Sequence, residues 1–99
     1  MANLHWNDVK LLDNLRDEIM NCPSGKKRMR ALLENKGFIL RQTSNSSDHL
    51  SIYWGDWGDR LGGFAPNKSN EKGFRMNVAK QLVSNIQTKL AALAAANMN

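Results

Sequence analysis

Apolar residues change their spacing at Gly37, where the period of a helix gives way to the period of a strand. Before Gly37, Met29 and Leu33 are placed on one helical arc. After it, Phe38 and Leu40 alternate with their neighbours, the period of two that a half-buried strand requires. A helix that gives way directly to strands predicts an α+β fold.

Two helices are predicted before Gly37. The first covers residues 7–20, with Asn7 as its N-terminal cap and with Trp6 and Leu11 as the apolar pair that brackets its first turn. The second covers residues 25–36, after an Asn-Cys-Pro-Ser-Gly segment that interrupts the helical pattern. We therefore expect an N-terminal helical hairpin.

A small antiparallel sheet and a long helix are predicted after the second helix. Residues 38–65 have the pattern of a three-stranded β-meander, although Gly62 and Gly63 weaken the third strand. Residues 71–96 keep helical spacing and predict a C-terminal helix. Its Ala-rich end has three alternatives: it extends beyond the domain, docks on the first helix, or pairs with a second copy in a homodimer. All elements fit a single domain over residues 1–99.

Cysteine and histidine usage excludes two kinds of stabilising site. Cys22 is the one cysteine of the chain, so no disulfide framework can form within it. His5 and His49 are far apart in the sequence and have no cysteine partners in a zinc-binding pattern. No stretch approaches the roughly 18 consecutive apolar residues of a membrane span, and the opening residues lack a signal-peptide pattern. We expect a cytoplasmic protein with no membrane contact, no metal and no cofactor.

Positive charge is concentrated in two segments. The formal net charge is +5, with +5 in residues 21–41 and +4 in residues 68–99. Residues 1–20 and 42–67 each carry −2. This distribution favours an anionic partner, either nucleic acid or an acidic protein surface.

The densest group of cations lies at the predicted start of the second helix. Lys26, Lys27, Arg28 and Arg30 occupy its opening turns, where the helix dipole disfavours positive charge by about 0.3–1 kcal/mol for each exposed cation. A phosphate would reverse this penalty, because free N–H groups and basic side chains together form an anion site. The alternative is a solvated basic face that promotes solubility.

Aromatic residues are concentrated near a turn after the predicted second strand. With Trp54 directed into the core, Tyr53 points to the opposite face and Trp57 lies at the turn. An exposed Trp57 or Tyr53 could stack on a base or fill a pocket of a partner protein. In the alternative, Trp57 covers the edge of the core.

Residues 29–42, followed by a polar turn and His49, resemble the start of HicA-type RNA-cleaving toxins. The shared features are a helix, a Gly-aromatic start to the first strand and a histidine that opens the second strand. The resemblance covers about a quarter of the chain. It implies an α-β-β-β-α fold similar to double-stranded-RNA-binding domains, with catalysis at the histidine. The family's histidine follows Gly-Ser, whereas His49 follows Ser47 and Asp48.

The resulting expectation is a non-catalytic module that contacts nucleic-acid phosphates, either DNA or RNA. Its main contacts would be the four cations of the second helix, with Arg41 and Lys72 as outlying ones. The alternative is a regulator or inhibitor of a nucleic-acid-processing enzyme, of the kind that phages and mobile elements encode. In that case Trp57, Tyr53 and the end of the last helix would be the anchors. A ribonuclease that uses His49 is the third class.

Overall fold

In the part of the chain that the structure describes, three helices and three strands follow the order α-α-β-β-β-α, so the fold is α+β as predicted. The computed structural model describes residues 6, 8–23, 28–43, 49–65 and 72–97. The helices are α1 (Val9–Met20), α2 (Arg28–Asn35) and α3 (Lys72–Asn97), and the strands are β1 (Ile39–Gln42), β2 (Leu50–Tyr53) and β3 (Gly62–Phe64). No helix within these ranges is both long enough and apolar enough to cross a bilayer.

The N-terminal cap of helix α1 is Asp8, one residue after the predicted cap, and the helix itself begins at Val9. Asp8 has extended backbone angles, and its carboxylate accepts a hydrogen bond of 2.9 Å from the backbone N–H of Lys10. Asn7 lies outside the described residues. The buried ring of Trp6 packs on Phe38, at 5.6 Å between ring centroids. Trp6 therefore joins the N-terminus to the sheet, a contact that local spacing did not indicate.

Gly37 ends α2, as the sequence predicts. Its φ angle of 102° is in the left-handed region, where a side chain would be strained. The N–H of Gly37 bonds to the carbonyl of Glu34, and the N–H of Phe38 bonds to the carbonyl of Leu33, which is the Schellman arrangement. Leu33 and Phe38 are both buried, so the chain turns directly from helix into sheet.

The sheet is an antiparallel meander with strand order β1-β2-β3. Leu50, Ile52 and Phe64 direct one face into the core, and they are at most 6% exposed. The third strand forms despite Gly62 and Gly63. Gly62 lies close to α3, because a Cβ at this position would be 3.1 Å from the Oε1 atom of Gln81 and would require that side chain to shift.

Helix α3 covers the core and packs against both α1 and β3. Leu82 and Ile86 are fully buried, as their spacing predicts. The first two helices are consecutive, but α1 packs mainly on α3 and α2 packs on β1, so they do not pair mainly with each other. Leu90 and Leu93, near the Ala-rich end, are half-buried against the core, so this part of the helix docks on its own domain.

Trp57 belongs to the core, with 8% of its surface exposed. The backbone N–H of Trp57 donates to the backbone carbonyl of Trp54 at 3.2 Å, which closes the turn after β2. Positive φ angles at Gly55 and Gly58 bend the chain back so that the ring is covered. The expectation that Trp57 is an exposed anchor is therefore wrong, and the alternative in which it covers the core is confirmed.

Candidate functional site

Two arginines from different helices lie near Cys22. Arg75, in the first turn of α3, donates from Nη1 to the carbonyl oxygen of Cys22 at 3.0 Å. Burial raises the pKa of the Cys22 thiol, and the positive charges of Arg75 and then Arg28 act in the opposite direction. Both basic segments of the sequence therefore place positive charge near Cys22. We call Arg28, Lys72 and Arg75 the helix-start cluster.

Lys72 belongs to this cluster because it lies three residues before Arg75, on the same side of α3. Neither α2 nor α3 has an acidic residue in its first turn. Among the described residues, no carboxylate lies within ion-pair distance of Arg28, Lys72 or Arg75. Arg28 and Arg75 thus bring positive charge to Cys22, and Lys72 adds a cation one turn before Arg75, which favours an anion near these helix starts.

Arg30 differs from its neighbours at the start of α2. Its guanidinium lies 3.5 Å from a carboxylate oxygen of Glu34, one helical turn later. Glu34 therefore partly neutralises the positive charge of Arg30, which the sequence analysis expects an external anion to neutralise. Lys26 and Lys27, the other two predicted contacts, lie outside the described residues.

A second basic region lies on the face of the sheet opposite the core. Arg41 of β1 is exposed, and its guanidinium carbon is 5.7 Å from the centre of the half-buried Tyr53 ring. Arg60 lies on the same face, where Nε donates to the hydroxyl of Ser51 at 2.9 Å. The structure thus brings Arg41 and Tyr53 together, two residues predicted for different roles. We call Arg41, Tyr53 and Arg60 the sheet-face cluster.

Two residues of these clusters, Arg60 and Arg75, were missing from the sequence prediction. Arg75 could have been predicted from the sequence, because it follows Lys72 at helical spacing in the first turn of a predicted helix. No local sequence pattern identifies Arg60, because it lies in the connection before the Gly-Gly strand. Its position on the face depends on the return of β3 alongside β2.

His49, the catalytic candidate, is exposed just before β2. Its carbonyl accepts the N–H of Thr43 at 3.2 Å, which continues the pairing of β1 with β2. No three His, Cys, Asp or Glu side chains in the described ranges come together in a way that could hold a metal ion.

The chain matches no protein-family model, no curated protein and no solved structure with which it was compared. The chemistry of the two clusters is therefore the basis for a functional proposal.

Proposed function

We propose that this chain is a small basic module that binds nucleic-acid phosphates without catalysing a reaction. The observation that supports the proposal is that Arg75 donates to the carbonyl oxygen of Cys22, whose thiol also experiences the positive charge of Arg28. Both basic segments of the sequence thereby place positive charge near the same residue.

The chemistry of the helix-start cluster suits a phosphate backbone. Guanidinium groups bind phosphate oxygens through two parallel hydrogen bonds, and free N–H groups at helix starts add further donors. Backbone contacts of this kind orient a protein on its nucleic acid without reading its sequence. The sheet-face cluster adds two further arginines, Arg41 and Arg60, on another face of the same domain.

Salt dependence tests the proposal. The intact protein is titrated against a labelled DNA duplex, an RNA duplex and a single strand at several salt concentrations. Because each phosphate contact releases condensed counterions, the logarithm of the affinity should fall linearly with the logarithm of the salt concentration, by about 0.7–0.9 per contact. Absence of binding to all three ligands, or a flat salt dependence, would overturn the proposal.

A protein partner is the second candidate, favoured by a groove between α1 and α3. The groove has a volume of about 460 Å³ and is lined in part by Met20, Met76 and Val83. Met76 is 48% exposed, and flexible methionines suit adaptable protein contacts. This candidate would be a regulator or inhibitor of a nucleic-acid-processing enzyme. Capture from a nuclease-treated lysate distinguishes the two candidate functions. A partner protein that binds this chain directly is retained after nuclease treatment, whereas a partner bridged by nucleic acid is lost.

A further inference from the structure

The face of the sheet opposite the core carries a tyrosine ring and two arginine side chains. Cross-strand partners in an antiparallel sheet share a face, and Ile39 pairs with Tyr53 while Arg41 pairs with Ser51. This face is therefore the one opposite Leu50 and Ile52, which enter the core. Ile39 and Arg41 are exposed and Tyr53 is half-buried, so the face offers both apolar surface and positive charge.

Glycine in β3 allows Arg60 to lie across this face. Ser51 pairs with Gly63, and a Cβ on Gly63 would overlap the Nη2 atom of Arg60. The same Cβ would also lie 2.9 Å from the carbonyl oxygen of Leu50, which is part of the backbone. With glycine at this position, the Arg60 guanidinium covers Ser51, which is only 4% exposed although its side chain is polar.

The charge on this face is uncompensated within the described part of the chain. Neither Arg41 nor Arg60 lies within ion-pair distance of a described carboxylate. Arg41 is instead held over the Tyr53 ring, and Arg60 is held by the Ser51 hydroxyl. Both guanidinium groups are thus positioned before any ligand arrives, which lowers the entropy lost on binding.

We propose that the sheet-face cluster binds unpaired bases, so that the ligand of this domain is a single-stranded nucleic acid. This inference rests on the proposed function and adds the class of ligand. Tyrosine rings and guanidinium planes stack on the faces of unpaired bases, and here the Arg41 guanidinium lies over the Tyr53 ring, so that the two together form the stacking platform. The positive charges of Arg41 and Arg60 neutralise phosphates of the same strand. A duplex does not fit this chemistry, because its base faces are stacked on one another.

The test compares one labelled oligouridine with an RNA duplex of the same length. We expect the single strand to bind more tightly, and we expect Tyr53→Leu to weaken it about tenfold with little effect on the duplex, since stacking on one aromatic residue has about that value. Tyr53→Phe keeps the ring and should retain the affinity. Arg41→Lys keeps the charge but loses the plane, so it should weaken the single strand while the salt dependence stays unchanged.

The outcomes separate this inference from the proposed function. Binding to both ligands with equal affinity, unaffected by Tyr53→Leu, would overturn the single-strand assignment and leave phosphate binding intact. If neither ligand binds, both the inference and the proposed function are overturned. Thermal unfolding of each variant establishes that it is folded. Should Tyr53→Leu unfold the domain, Tyr53→Phe and Arg41→Lys decide: loss of single-strand affinity only in Arg41→Lys supports the inference, and no change in either contradicts it.

Discussion

The side-chain amide of Gln81 on α3 binds both backbone polar groups of Gly63 on β3. The N–H of Gly63 donates to Oε1 at 3.1 Å, and Nε2 donates to the carbonyl of Gly63 at 3.4 Å. One turn later, Asn85 donates to the carbonyl of Leu61 at 2.7 Å. Since β3 is an edge strand, these are groups with which another chain's strand could pair. The last helix therefore closes the edge of the sheet as well as covering its core.

Removal of this amide should destabilise the domain. Gln81→Ala leaves the N–H and carbonyl of Gly63 without their partners in a partly buried place, which costs about 1–3 kcal/mol. Urea unfolding measures the loss. Gln87→Ala is the matched control, because Gln87 is exposed on the same helix and gains the same helix propensity. Equal midpoints for the two variants would show that the edge contact contributes nothing.

Two glycines should respond in opposite directions to alanine. Gly73 lies in the first turn of α3, where a Cβ meets no atom within 4 Å, so Gly73→Ala should stabilise the protein by about 0.5–1 kcal/mol. Gly37 has φ +102°, and its Cβ would lie 3.3 Å from the Trp54 ring. Gly37→Ala should therefore destabilise the protein by about 1–2 kcal/mol. Thermal melts of both variants check the signs, and a stabilised Gly37→Ala would contradict the helix-end geometry.

Neutralisation of the helix-start cluster should reduce the salt dependence of nucleic-acid binding. Arg28→Gln and Arg75→Gln should each lower the slope by about 0.7–0.9, the value of one phosphate contact. Arg75→Lys keeps the charge and should leave the slope nearly unchanged, even if the bond to Cys22 is weakened. Lys10→Gln is the control, since Lys10 is exposed in the first turn of α1, at the opposite end of this helix from Cys22. A slope that falls equally in Lys10→Gln would indicate a general charge effect.

The buried thiol of Cys22 should make stability depend on pH in the alkaline range. Burial raises its pKa above the ordinary value of 9.0, so the folded chain holds this proton more tightly than the unfolded chain. The contribution of the protonated thiol to the free energy of unfolding is therefore fully present below pH 9.0 and is lost as the pH rises through the pKa of Cys22 in the folded chain. Unfolding free energies of the wild type and Cys22→Ala, measured from neutral pH upward, should converge in this range. Parallel curves would contradict a raised pKa.

Ribonuclease activity is the prediction that follows from the resemblance to HicA-type toxins, and it opposes the proposed function. We expect purified protein to leave single-stranded RNA intact. The assay follows RNA length over time with the wild type and with His49→Ala. Cleavage that disappears in His49→Ala would replace the binding module with an enzyme, whereas cleavage that persists would indicate a contaminating nuclease.

Local patterns predicted the elements but not all of their ends. The positive φ of Gly37 and the buried positions Leu82 and Ile86 follow directly from spacing and from the conformational freedom of glycine. The cap of α1 was misplaced by one residue because Asn7 and Asp8 are both good caps, and only backbone geometry selects between them. Trp57 was open to two interpretations because burial of a turn residue depends on how the turn folds back.

The sequence by itself determined the α+β class, the order of elements and the two basic segments, since hydrophobic period and charge are properties of the chain alone. Only the tertiary structure decided which side chains share a surface. The proximity of Arg75 to Cys22, of Arg41 to Tyr53 and of Gln81 to Gly63 arises when helices and strands distant in sequence pack together. Such contacts depend on how elements distant in sequence pack on one another, which the local spacing of apolar residues does not specify.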